Sequence, residues 1–160
     1  MIKRSFFLAL ILLIAISHSG CSFQSTLSGH APDFTLDSLD GSAITLSNME
    51  GRVVVLDFWA TWCNPCVRSM PHLQRLYERY AGQEVVVLAI NVAEERGEVA
   101  KFMAENGYTF TVLLDSDSTV TDDYDVKGIP YTVIVDREGE AHPVFGIGDV
   151  EDMLSQLMGE

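Results

Sequence analysis

Val53-Val54-Val55-Leu56-Asp57-Phe58-Trp59-Ala60-Thr61-Trp62-Cys63-Asn64-Pro65-Cys66 is the stretch on which the reading of this chain turns. From Val53 to Trp59 the run is apolar except for one acid, the pattern of a strand covered on both faces. Beyond it Val67, Met70, Leu73, Leu76, Tyr77 and Tyr80 recur at helical spacing until Gly82. That spacing predicts a helix from about Cys63 to Ala81, with Pro71 inside it as a kink. Pro65 suits the first helical turn, where its missing N–H costs nothing. The Cys-x-x-Cys pair therefore sits where a buried strand gives way to a helix N-terminus. Unpaired N–H groups and the helix dipole stabilise a thiolate there, so Cys63 is the expected nucleophile. Cys66, one turn on, is placed to resolve a mixed disulfide. Trp62 is expected to shield one side of the pair.

Working outward, Val85 to Ile90 is a second buried strand, so residues 53–91 read as a right-handed β-α-β unit with a parallel pair. Upstream, Phe34-Thr35-Leu36 and Ile44-Thr45-Leu46 flank the turn signal Asp40-Gly41 and predict a hairpin. Downstream come a helix over Glu98–Glu105 closed by Asn106-Gly107, a strand over Thr111–Leu114, and a brief helix or turn over Ser118–Tyr124. A strand over Tyr131–Val135 then turns through residues 137–140 into a partner over Ala141–Phe145. A final helix is expected over Val150–Met158, capped by Asp149. The sum is a single α/β domain: helices around a mixed central sheet, with an N-terminal hairpin.

The chain opens with an export signal. Lys3 and Arg4 precede an unbroken apolar run from Phe6 to Ile16, shorter than the roughly 20 residues of a membrane-spanning helix. Ser17, His18, Ser19 and Gly20 lead to Cys21, where a bacterial lipoprotein signal places its acylated cysteine, although His18 stands where such signals usually carry Leu; cleavage near Ser19 or an uncleaved anchor are the alternatives. The expected division is residues 1–20 as signal, 21–30 as a polar tether, and 31–160 as the domain. Loss of Lys3 and Arg4 leaves 8 basic against 23 acidic side chains, a net charge of −15. Such a surface repels nucleic acid and anionic headgroups, which excludes both as partners. The acidic stretches read as solvated surface.

Three cysteines, two of them adjacent in sequence, are no disulfide framework for a chain of this length. A static bridge between Cys63 and Cys66 closes too short a loop to stabilise much. A zinc site needs more ligands, and Cys21, His30, His72 and His142 stand at no finger-like spacing. A copper site of the Cys-plus-His type remains an alternative, although such sites place three residues between the cysteines. His72, two turns past Cys66, is expected to be an exposed helix residue. Asp115-Ser116-Asp117-Ser118 lacks the Gly and distal Glu of a calcium loop.

The segment Asp57 to Cys66 resembles the active-site segment of thioredoxins, and Pro71 stands at the offset they use. Gly128-Ile129-Pro130 resembles the loop in which they hold a cis-proline beside the disulfide. Ala31-Pro32-Asp33-Phe34-Thr35-Leu36 is similar to the opening of peroxiredoxins and of the envelope thioredoxins of the TlpA/ResA kind, whose central αβ insertion matches residues 91–115. The resemblance covers residues 31–158. It implies a thioredoxin-like fold, a redox-active Cys63–Cys66 disulfide with no dissociable cofactor, and a docking edge for substrate at Ile129-Pro130. Protein dithiols or disulfides are the implied substrates, and a membrane-embedded electron donor is the implied partner.

Asp57 is the informative acid. A carboxylate buried in a strand is costly unless paired or protonated, and burial raises its pKa toward the range of a general base. Thioredoxins carry an Asp here that accepts the proton of the resolving cysteine; many TlpA/ResA relatives carry Asn. An Asp satisfied by local hydrogen bonds is the structural alternative. Envelope proteins that reduce apocytochrome c often carry Glu three residues after the second cysteine, where this chain has Ser69. That departure weakens cytochrome c maturation as the expected process and leaves dithiol chemistry untouched. Peroxide reduction is the runner-up, although Thr61 stands two residues before Cys63 rather than three and no proline precedes it. A metal-binding carrier or a redox-silent chaperone on the same fold is the reading from another class.

Overall fold

The computed structural model describes residues 29–145 and 147–159. The expected signal segment 1–20, Cys21 and most of the tether lie outside the described residues. Seven strands form one sheet: β1 (Thr35–Ser38), β2 (Ala43–Thr45), β3 (Val53–Trp59), β4 (Val85–Val92), β5 (Thr111–Asp115), β6 (Tyr131–Val135) and β7 (Ala141–Val144), in the order β2-β1-β5-β4-β3-β6-β7. The helices are α1 (Asn64–Arg79), α2 (Arg96–Asn106), α3 (Thr119–Asp123) and α4 (Ile147–Met158). The arrangement is the thioredoxin-like fold.

β3 is central and every residue in it is buried. It pairs in parallel with β4, as the helical crossover through α1 allows, and antiparallel with β6. Alternation sends its side chains to two cores. Val53, Val55 and Trp59 share one cluster with α1, α2 and α4, whereas Val54, Leu56 and Phe58 meet Phe34, Leu46, Val120 and Tyr124 on the other face. In α1 the buried residues are Cys66, Met70, Leu73 and Leu76, one apolar stripe. Each fully buried side chain of this size contributes about 1.5–3 kcal/mol.

The structure corrects some expectations. α4 begins at Ile147, so Asp149 lies in its first turn instead of capping it. The segment Leu46–Met49, read as the end of a strand and a loop, contains a single 3-10 turn. His72 is not an exposed helix residue: its side chain is 23 % accessible, and its Nε2 lies 3.6 Å from Glu151 Oε1 on α4. Asp115 is fully buried and accepts from the backbone N–H of Val120 and Thr121 and from the Thr121 hydroxyl, which starts α3.

Candidate active site

The register of the sheet brings the site together. β3 ends at Trp59, and the chain turns through Ala60-Thr61-Trp62 into α1, the turn being closed by the Cys63 N–H to Ala60 O at 3.1 Å. Cys63 is the N-cap of α1, with Pro65 in the first turn. Its sulfur accepts the Cys66 N–H at 3.2 Å, and the two sulfurs are joined in a disulfide. A sulfur in this position faces an unpaired helical N–H and the positive end of the dipole, the setting that favours a thiolate once the bond is reduced. Cys63 is 5 % exposed and Cys66 is fully buried, so an incoming group meets Cys63 first. Trp62 beside it is 66 % exposed.

β6 runs antiparallel to β3, so its beginning lies against the end of β3, with Tyr131 opposite Phe58. The Ile129–Pro130 bond just before it is cis, and Ile129 O lies 3.7 Å from Cys63 Sγ. The backbone carbonyl ahead of Pro130 is thus presented at the disulfide. One rung further along, Thr132 pairs with Asp57 and its hydroxyl donates to Asp57 Oδ1 at 2.9 Å. Asp57 lies on the face of β3 that carries Val55, Trp59 and α1. Burial pushes its pKa up to about 7, with the Thr132 hydrogen bond pulling the other way. A cleft of about 320 Å³ lined by Asp57, Ser69, Pro130, Thr132 and Phe145 connects this acid to the surface.

Two participants escaped the sequence reading. Thr132 became visible only through the antiparallel register. Glu94, counted among solvated acids, is 7 % exposed and binds the active-site turn. The signal for it was present: β3 and β4 are parallel, with Trp59 opposite Asn91, so residues just past β4 must lie beside those just past β3. The Thr61 hydroxyl, the one group available for a peroxidatic arrangement, donates to Glu94. Among the described residues, no group of three or more His, Cys, Asp and Glu side chains could hold a metal ion.

The model of the AhpC/TSA family matches residues 27–142. Thiol-disulfide oxidoreductase ResA of Halalkalibacterium halodurans is 32 % identical, over 98 % of this chain and 94 % of that protein. ResA of Bacillus subtilis is 38 % identical over 80 % of this chain and 72 % of that protein. Among solved structures, the Chlorobium tepidum protein assigned as thiol:disulfide interchange protein DsbE is 33 % identical with a TM-score of 0.70, covering 85 % of this chain and 98 % of that one. These likenesses extend over nearly the whole chain, and the chain belongs to the AhpC/TSA family, among its ResA thiol–disulfide oxidoreductases.

Proposed function

We propose that this domain exchanges electrons with disulfides and dithiols of other proteins outside the cytoplasm. The observation that carries the reading is the placement of Cys63 Sγ, 3.2 Å from the Cys66 N–H and 3.7 Å from Ile129 O. In the reduced enzyme the Cys63 thiolate attacks a substrate disulfide, forming a mixed disulfide and expelling one substrate thiolate. Cys66 then gives its proton to Asp57 and attacks Cys63 Sγ, releasing the second substrate thiolate and leaving the Cys63–Cys66 disulfide. Two electrons pass to the substrate. Ile129-Pro130 offers a strand-like edge to the substrate backbone, and Trp62 covers the flank of the mixed disulfide.

Reduced protein should accelerate the reduction of insulin, and Cys63→Ser should abolish it. Alkylation of the reduced protein near neutral pH should modify Cys63 before Cys66. Faster labelling of Cys66, or insulin reduction surviving Cys63→Ser, overturns these roles.

The export signal supports a reaction in the cell envelope, and in this reading Cys21 is lipidated and a membrane-embedded donor supplies the electrons. Cys21→Ser should move the protein from the membrane fraction to the soluble fraction, or leave its signal uncut; normal processing and retention exclude lipidation. Cytochrome c maturation is the process favoured by the resemblance to the envelope thioredoxins. A deletion strain with an unchanged content of c-type cytochromes excludes it.

A further inference from the structure

Glu94 touches neither sulfur, yet its side-chain partners are the turn that delivers Cys63 and the strand beside it. Its Oε2 accepts the Thr61 N–H at 2.7 Å and the Asn91 Nδ2–H at 2.7 Å, while Oε1 accepts the Thr61 hydroxyl. Thr61 lies inside the turn that the Cys63 N–H closes onto Ala60 O. The backbone around Glu94 is built to aim it. Ala93 has φ 58°, a left-handed conformation unfavourable for alanine. It is held there by its N–H to Asp115 O at 3.0 Å, and the Ser116 hydroxyl donates to Glu94 O at 3.3 Å. The loop after β5 thus fixes the direction of a carboxylate that then fixes the loop after β3.

We propose that Glu94 is a positioning residue of the dithiol: it clamps the Ala60–Cys63 turn so that Cys63 Sγ meets the first N–H groups of α1. The inference rests on the exchange reaction above and adds to it the residue that sets nucleophile geometry. The need for such a clamp is physical. Stabilisation of a thiolate by a helix terminus fades within one turn, and its hydrogen bond weakens steeply with misalignment. Of the turn's side chains only Ala60 and Cys63 are buried, and Trp62 is exposed, so between the two buried ends the turn is held through Thr61, whose N–H and hydroxyl both bond Glu94.

The donor set defines the test. The Thr61 N–H and the Asn91 amide can only donate here, but the Thr61 hydroxyl can donate or accept. Glutamine can therefore point its oxygen at the first two and donate its own N–H to the hydroxyl, keeping all three bonds. Alanine keeps none. The measurement is the rate of Cys63 alkylation by iodoacetamide in reduced full-length protein, followed from about pH 5 to 9. Glu94→Ala should move the midpoint of the profile upward by about one pH unit or more. Glu94→Gln should stay within about twofold of the parent at every pH, since it retains the clamp. A parental profile in Glu94→Ala overturns the proposal. So does a Glu94→Gln profile displaced upward as far as that of alanine, because the three retained bonds would then not be what positions Cys63. If Glu94→Ala does not fold, Glu94→Asp takes its place: the same charge on a side chain one methylene shorter should displace the profile in the same direction, and a parental profile overturns the proposal. Alkylation needs no protein substrate, so a failure of insulin reduction in the parent bears on the proposed reaction and leaves this test standing.

Discussion

Asp57 and Glu94 are both buried behind the same turn, one on β3 and the other just past β4, but their surroundings differ in the number of donors. Asp57 receives one side-chain hydrogen bond, from Thr132, and burial carries its pKa up to about 7. Glu94 receives three, which occupy both of its oxygens. Asp115 is of the second kind, with three donors of its own at the start of α3. A buried acid with one donor keeps room to bind a proton, whereas an acid surrounded by donors is an anchor. The difference separates chemistry from architecture within a few residues of one disulfide.

The sharpest way to break this contrast is Asp57→Asn. With its folded pKa raised, Asp57 holds its proton in the native state at pH values where the unfolded chain has lost it. Native stability therefore falls as pH rises from the unfolded value of about 3.9 toward 7 and stays reduced above it. The substitution should remove that loss, stabilising the oxidised domain by on the order of 2 kcal/mol at pH 8 and by little at pH 4. It should also slow resolution of a trapped mixed disulfide by on the order of 100-fold. Denaturant unfolding at the two pH values and stopped-flow release of substrate thiol check the pair. Resolution at the parental rate across pH makes Asp57 a tolerated buried acid and removes the contrast.

Thr132→Val is the smaller and finer probe. It deletes the one donor that lowers the Asp57 pKa, so the pH midpoint of the resolution step should rise, by roughly half a unit to one unit. The direction decides: a midpoint that falls or stays fixed shows that another group carries the proton.

Much of this was legible in the sequence, because the decisive features are local. The apolar run ending in Cys-x-x-Cys fixes β3, α1 and the helix-terminal sulfur together, and a single acid in a doubly covered strand announces its own desolvation. The hairpin was visible through Asp40-Gly41, although its pairing with β5 was not, since strand order depends on long-range packing. The contributions of Thr132 and Glu94 arise from register, a relation between segments 75 and 33 residues apart. Glu94 and Glu95 look alike as sequence, and only the left-handed Ala93 ahead of them sends Glu94 inward.

His30 bridges Glu140, and the N–H groups of Ala31 and Ala141 bond Gly139 O and Gly29 O, so the chain enters the domain at the turn between β6 and β7. That turn follows Val135, which lies opposite Val54 at the start of β3, whereas Cys63 follows the end of the same strand. Foot and reactive tip are thus separated by the height of the sheet, about 23 Å at 3.3 Å per residue. Were the chain attached upstream of Gly29, as proposed above, the domain would be held at its foot, and the disulfide would stand at the far end of the sheet from the attachment.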